Sequence, residues 1–168
     1  FSIQNFLYDQ AFFYAERLHA ETPHDEEIIY FLALAAFRKG ETGRAYHFLN
    51  DSRVPPEARA DKNVYLFAKC CFDLNKYDEA EDALMATAKM SSTDSQSSSP
   101  SMMGMSSSQQ VLQVANGAAG FFLLGQVQEK LSKRKEAAQF YARSLELCPY
   151  MWSAYERLSS LILGVSPE

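Results

Sequence analysis

The side chains that could do chemistry in this chain are few and scattered. Its three cysteines are the adjacent pair Cys70-Cys71 and the distant Cys148, and its three histidines, His19, His24 and His47, all fall in the first third. A cysteine nucleophile needs a histidine beside it, and structural zinc needs four converging ligands. Neighbours on a helix point about 100° apart, so Cys70 and Cys71 cannot share a metal without other ligands, and no histidine stands at ligand spacing. They are expected to act as small apolar fillers, with Cys148, before Pro149, an inert thiol and the histidines at the surface. The carboxylates Glu26-Glu27 and Glu79/Glu81 fall in predicted helix N-terminal turns, where the backbone dipole favours negative charge. There is no Gly-rich phosphate loop and no nucleophile elbow. The expectation is a protein that is not an enzyme and carries no cofactor and no metal.

Composition narrows the class further. With 168 residues and a net charge of −5, the chain has length for a real core but no basic face for phosphate, so nucleic acid is not an expected partner. An adjacent pair and one distant cysteine make no disulfide framework, which suggests a reducing compartment. The longest apolar clusters, around Phe31–Phe37 and Gly120–Gly125, fall short of the roughly 18–20 residues of a membrane span, and no membrane partner or signal peptide is expected. The chain starts at Phe1 rather than at methionine and is expected to be a trimmed fragment.

The elements that must hold any site emerge from one stretch, LGQVQEKLSKRKEAAQFYARSLELCP, Leu124 to Pro149. A Leu-Gly pair is followed by Ala137, Tyr141 and Pro149 at the spacing of a tetratricopeptide repeat, a 34-residue helix–turn–helix unit. The alanine anchor recurs at Ala11, Ala45, Ala80 and Ala137, with separations of 34, 35 and 57 residues, the last being one repeat plus 23 extra residues. The predicted fold is an all-α tetratricopeptide-repeat (TPR) solenoid of about four repeats plus a C-terminal helix. Repeats fall near 1–23, 25–58, 61–90 and 117–149, with the extra helix at 150–163 as the first helix of a fifth unit. Residues 91–110 are rich in serine and methionine and read as a disordered insertion. Within it Ser99-Pro100 is a minimal proline-directed phosphorylation site, though an unmodified spacer is the commoner outcome for such composition.

Each first helix places a face at i, i+3, i+4 and i+7: Ile29, Leu32, Ala33 and Ala36; Val64, Phe67, Ala68 and Cys71; Phe121, Leu124, Gly125 and Gln128. The third residue of each set is small because two backbones cross there. Gly40 is expected to end one first helix, and Asp25 and Asp61 to cap the starts of two. One position beyond each core residue lie the expected groove residues Tyr30, Leu34 and Phe37, then Tyr65, Lys69 and Phe72, then Phe122 and Gln126. Rings and a leucine there favour an amphipathic helix as the occupant; a widened core is the plainer alternative.

Three segments, FYAERLHAE (Phe13–Glu21), YLFAKCCFDLNKYDEAE (Tyr65–Glu81) and LELCPYMWSAYERL (Leu145–Leu158), carry a closer likeness. The chain resembles, over essentially its whole length, the N-terminal repeats of subunit 3 of the anaphase-promoting complex, or cyclosome, the cell division cycle protein 27 type. The resemblance implies a non-catalytic scaffold of a multisubunit ubiquitin ligase acting in mitosis, in nucleus and cytoplasm, with other subunits of that complex as partners. It also implies a homodimer in which each protomer's N-terminal segment, here Phe1, Ile3, Phe6 and Leu7, enters its partner's groove. Only residues 1–7 precede the second helix of repeat one, so a short or truncated first helix is expected. The family's receptor for co-activator tails lies in its C-terminal repeats and maps to no residue here. The rival expectation is a monomeric TPR adaptor whose groove takes a short linear peptide.

Overall fold

The computed structural model describes residues 4–5, 7–51, 59–90 and 113–163, the side chains of 88–90 excepted. Within them the chain forms eight helices: α1 (Tyr8–Glu21), α2 (Glu26–Arg38), α3 (Thr42–Asn50), α4 (Asp61–Asp73), α5 (Tyr77–Met90), α6 (Ala118–Lys130), α7 (Arg134–Leu147) and α8 (Trp152–Leu163). Each packs on the helix before and after it, and α4 also touches α2 and α6. The first helices α2, α4 and α6 therefore form one continuous layer, with α1, α3, α5 and α7 behind them. That is the layering of a helical solenoid.

All eight anchors named for inter-helix packing are buried: Ala11, Ala33, Ala45, Ala68, Ala80, Gly125, Ala137 and Tyr141. The reason for glycine at position 125 is steric. A Cβ there would lie 2.4 Å from Cε1 of Tyr141, so α6 approaches α7 only because that atom is missing. The three predicted crossing faces are buried throughout, including the polar Gln128.

The first helices of repeats two, three and four end alike. Gly40, Asn75 and Ser132 take positive φ of 84°, 60° and 63°. The following amides, of Glu41, Lys76 and Lys133, donate to the carbonyls of Ala36, Cys71 and Gln128 at 3.0, 2.8 and 2.8 Å. This is the Schellman closure, which turns the chain back into the second helix. The sequence points to it at Gly40 alone, because asparagine and serine adopt this geometry without advertising it.

At the helix starts the two expected caps differ. The Asp25 carboxylate accepts from the amides of Glu27 and Ile28 at 2.8 and 3.4 Å, an arrangement worth about 1 kcal/mol. Asp61 does not cap α4. It is the first helical residue, and the cap position is Ala60, which has no side-chain bond; the Ala60 amide instead lies 3.4 Å from the Glu26 carboxylate of the preceding repeat.

Two buried clusters result. The larger runs from α1 to α6, and the smaller joins Ala137 and Tyr141 of α7 to Ala154 of α8, with Phe122, Leu145, Met151, Leu158 and Leu161 around it. Helix α8 carries Tyr155, Leu158, Ser159 and Ile162 at the positions that Phe121, Leu124, Gly125 and Gln128 hold on α6. On α6 that face is buried, whereas Tyr155 and Ile162 are 54% and 74% exposed.

Candidate partner-binding groove

The layer of α2, α4 and α6 presents the surface on which the groove residues were expected. Tyr30, Leu34 and Phe37 on α2 and Tyr65 and Phe72 on α4 are all half-buried and pack against the larger cluster. They are therefore neither swallowed by the core nor free of it. Each keeps part of its surface packed on neighbours and part exposed. Phe122 is also half-buried, but it belongs to the smaller cluster and lies against Tyr141 with centroids 5.6 Å apart. Five of the expected apolar groove residues thus pack on the larger cluster and the sixth on the smaller one.

Lys69 is on the same helix face, in an ion pair with Asp73 at 3.0 Å and with its ammonium 5.3 Å from the centroid of Phe72. One residue that the sequence reading passed over matters equally. Lys62, seven positions before Lys69, lies 4.9 Å from the Tyr30 ring and 5.9 Å from the Phe31 ring, and pairs with Glu27 at 3.4 Å. The inner face of α4 therefore alternates cation and ring through Lys62, Tyr65, Lys69 and Phe72, a pattern visible in the i, i+3, i+7 spacing once α4 is known to face inward. The surface is amphipathic rather than a bare apolar strip. Its lysines shield ring faces from water while leaving the ring edges available.

The remaining expectations divide. Leu7 is exposed immediately before α1, while Phe1, Ile3 and Phe6 lie outside the described residues, as does the insertion at 91–110. Cys70 and Cys71 are fully buried and burial pushes both thiols up to about 12, so neither supplies thiolate near neutral pH. His24 and His47 are exposed, but His19 is half-buried, because it continues the inward-facing stripe of α1, four residues after Ala15, which itself follows Ala11 by four. Among the described residues no three His, Cys, Asp or Glu side chains converge as a metal site, and no helix is long and apolar enough to cross a membrane.

Repeated helix pairs, buried small-residue crossings and a half-buried inner row of side chains define the class: a tetratricopeptide-repeat solenoid. Residues 118–150 match the tetratricopeptide repeat family. Residues 4–87, half of the chain, match the family described as anaphase-promoting complex, cyclosome, subunit 3, and the chain belongs to that family. It is 32% identical over 167 residues to cell division cycle protein 27 homolog B of Arabidopsis thaliana and 31% over 171 residues to the Homo sapiens homolog. In both cases the match takes in 99% of this chain and spans 18% of the relative's length. The solved structure of MamA superposes with a TM-score of 0.74 at 16% identity, covering 97% of this chain and 81% of MamA. A chain of the APC/C hetero-tetramer Cut9-Hcn1 superposes with a TM-score of 0.68 at 21% identity, covering 95% of this chain and 27% of the other. At those identities the two structures speak for the fold.

Proposed function

We propose that this domain is a non-catalytic scaffold that self-associates through its inner surface, as part of a multisubunit ubiquitin ligase of the anaphase-promoting type. The observation that carries the reading is the set of five half-buried apolar side chains, Tyr30, Leu34, Phe37, Tyr65 and Phe72, on adjoining inner helices. On this reading the domain acts in mitosis in the nucleus and cytoplasm, beside other subunits of the complex; membership of the subunit 3 family supports the assembly with those subunits. The occupant of the groove is a second copy of the chain, entering with the segment that contains Phe1, Ile3, Phe6 and Leu7. Phe37→Arg with Tyr65→Glu puts two charges among these side chains. The expected result is a halved solution mass by light scattering with helical circular dichroism retained. A mass unchanged by both substitutions overturns the assignment.

A second reading is favoured by Lys62 and Lys69, whose ammonium groups lie over groove rings. A monomeric adaptor taking an acidic–apolar linear peptide would use this cation–ring alternation directly. Sedimentation across a dilution series separates the two, because the adaptor is monomeric at micromolar concentration and the scaffold is dimeric.

A further inference from the structure

The residue after each of the first three anchor alanines is Phe12, Tyr46 and Glu81 in turn. Two are rings and the third is a carboxylate, yet each is met by a lysine from the turn that follows the next first helix. Lys39 lies 5.0 Å from the Phe12 centroid and pairs with Asp9 at 3.0 Å. Lys76 donates to the Tyr46 hydroxyl at 2.8 Å and pairs with Glu79 at 3.1 Å, while the Tyr46 hydroxyl donates to Glu79 at 2.8 Å. Lys133 pairs with Glu81 at 3.0 Å. The contacts to Phe12, Asp9, Tyr46 and Glu81 join each repeat to the preceding one, whereas Lys76–Glu79 lies within repeat three. Lys76 and Lys133 hold the same place, directly after the positive-φ residues Asn75 and Ser132, so the Schellman turn aims both.

We infer that Lys76 and Lys133 are positioning residues that fix the rotation of each repeat on the one before it, and through it the spacing of the groove side chains on α2, α4 and α6. Apolar packing of a second helix on the next first helix, as α3 on α4 and α5 on α6, is non-directional and tolerates a sliding fit. A lysine bridging a turn to one atom of the preceding helix does not. Its aim is set by a backbone closure identical in the two repeats, although the receiving residue changes from phenol to carboxylate. The link to the groove rests on the proposed self-association; the effect on array shape does not.

The test measures shape and association separately. Spin labels at Gln10→Cys and Ser153→Cys, both exposed positions on α1 and α8, report the end-to-end distance in a Cys148→Ser background. Cys70 and Cys71 are buried and do not label. With labelled chain diluted in unlabelled chain, Lys76→Met with Lys133→Met is expected to move or broaden the distance distribution by roughly 2 Å or more, the scale of helix shifts at repacked interfaces. Lys76→Arg with Lys133→Arg is expected to restore it, and circular dichroism to stay helical throughout. An unchanged distance in the methionine variant overturns the inference. A changed distance with unchanged self-association in sedimentation overturns the link to the groove and leaves the shape role standing.

Discussion

Repeat four and the two repeats before it solve the same packing problem with different pairs. In repeat four Gly125 faces Tyr141, whose ring would sit 2.4 Å from an added Cβ. In repeats two and three the corresponding first-helix residues are Ala33 and Ala68, and the residues in Tyr141's register are Leu49 and Leu84, all four fully or almost fully buried. A large ring requires glycine opposite; a leucine leaves room for a methyl. Tyr141 also brings a hydroxyl, which donates to Glu129 at 2.8 Å, and Arg157 of α8 reaches the same carboxylate at 3.4 Å. Repeat four thus ties three helices together through one side chain, while at the same crossing repeats two and three pack by aliphatic fill, with Tyr46 and Phe67 stacked in the core between them and Tyr30, Phe37, Tyr65 and Phe72 half-buried. The Gly125–Tyr141 pair marks the repeat that ties α6, α7 and α8 together; repeats two and three carry the half-buried side chains on which the proposed association rests.

Breaking that contrast should show first at the crossing. Gly125→Ala is expected to cost about 1–3 kcal/mol as an overpacked core substitution. Added to Tyr141→Leu, the same change should cost less, because the leucine makes the room that Leu49 and Leu84 already give. A double-mutant cycle from urea unfolding reads the coupling. Strict additivity would mean that the glycine answers something other than the ring. In repeat three, Ala68→Gly should cost only about 1 kcal/mol, the helix-interior price of glycine.

A smaller effect sharpens the comparison at the turns. Ser132 closes α6 at φ 63°, where a non-glycine residue is strained. Ser132→Gly is expected to raise stability by about 0.5–1 kcal/mol. Asn75→Gly should gain less, because asparagine tolerates this region and its Oδ1 accepts from the Tyr77 hydroxyl at 2.6 Å. Thermal unfolding of the two variants beside Gly40→Ala, which should lose stability, ranks the three turns. Equal gains at residues 75 and 132 would contradict the assigned role of the Tyr77 bond.

The fold was readable from sequence because four alanines and three crossing faces repeat at a fixed period, and steric demands of that kind leave the same residue type each time. The half-buried row proposed as a groove was readable in part. Tyr30, Leu34, Phe37, Tyr65 and Phe72 follow from their offset to the core residues, but Phe122 does not join them, since Tyr141 draws it into the second cluster. Lys62 was missed because a lone lysine near a helix start looks like any solvated charge until the ring it covers, 32 residues earlier in Tyr30, is placed beneath it. The Asp61 cap failed for a local reason: the chain turns into α4 one residue earlier, and the amide at Ala60 faces a carboxylate from the preceding repeat. The lysine bridges had no sequence signature at all, because their receiving residues are a ring, a phenol and a carboxylate.

The smallest expected effect is the response of those bridges to acid. For Glu79 the hydrogen bond from Tyr46 is the leading influence, and with Lys76 it holds the carboxyl below its ordinary 4.5. For Glu81 burial pushes upward, but the hydrogen bonds from Gln128 and Lys133 outweigh it and leave that carboxyl below the same value. A group whose pKa is depressed on folding binds its proton more readily when unfolded, so its contribution is present above pH 4.5 and lost as pH falls through the folded pKa. Stability should therefore be flat from neutral pH down to about 5 and fall below that. Lys133→Met removes one of the two bonds that lower Glu81, so this variant should start from a lower urea midpoint at pH 7 and lose less on acidification than the parent chain. Lys39→Met, at the junction where the lysine lies over the Phe12 ring, should leave the Glu81 share of the acid response untouched. Parallel acid profiles for the parent and Lys133→Met chains would show that the 3.0 Å pair at the third junction contributes nothing to the coupling between repeats.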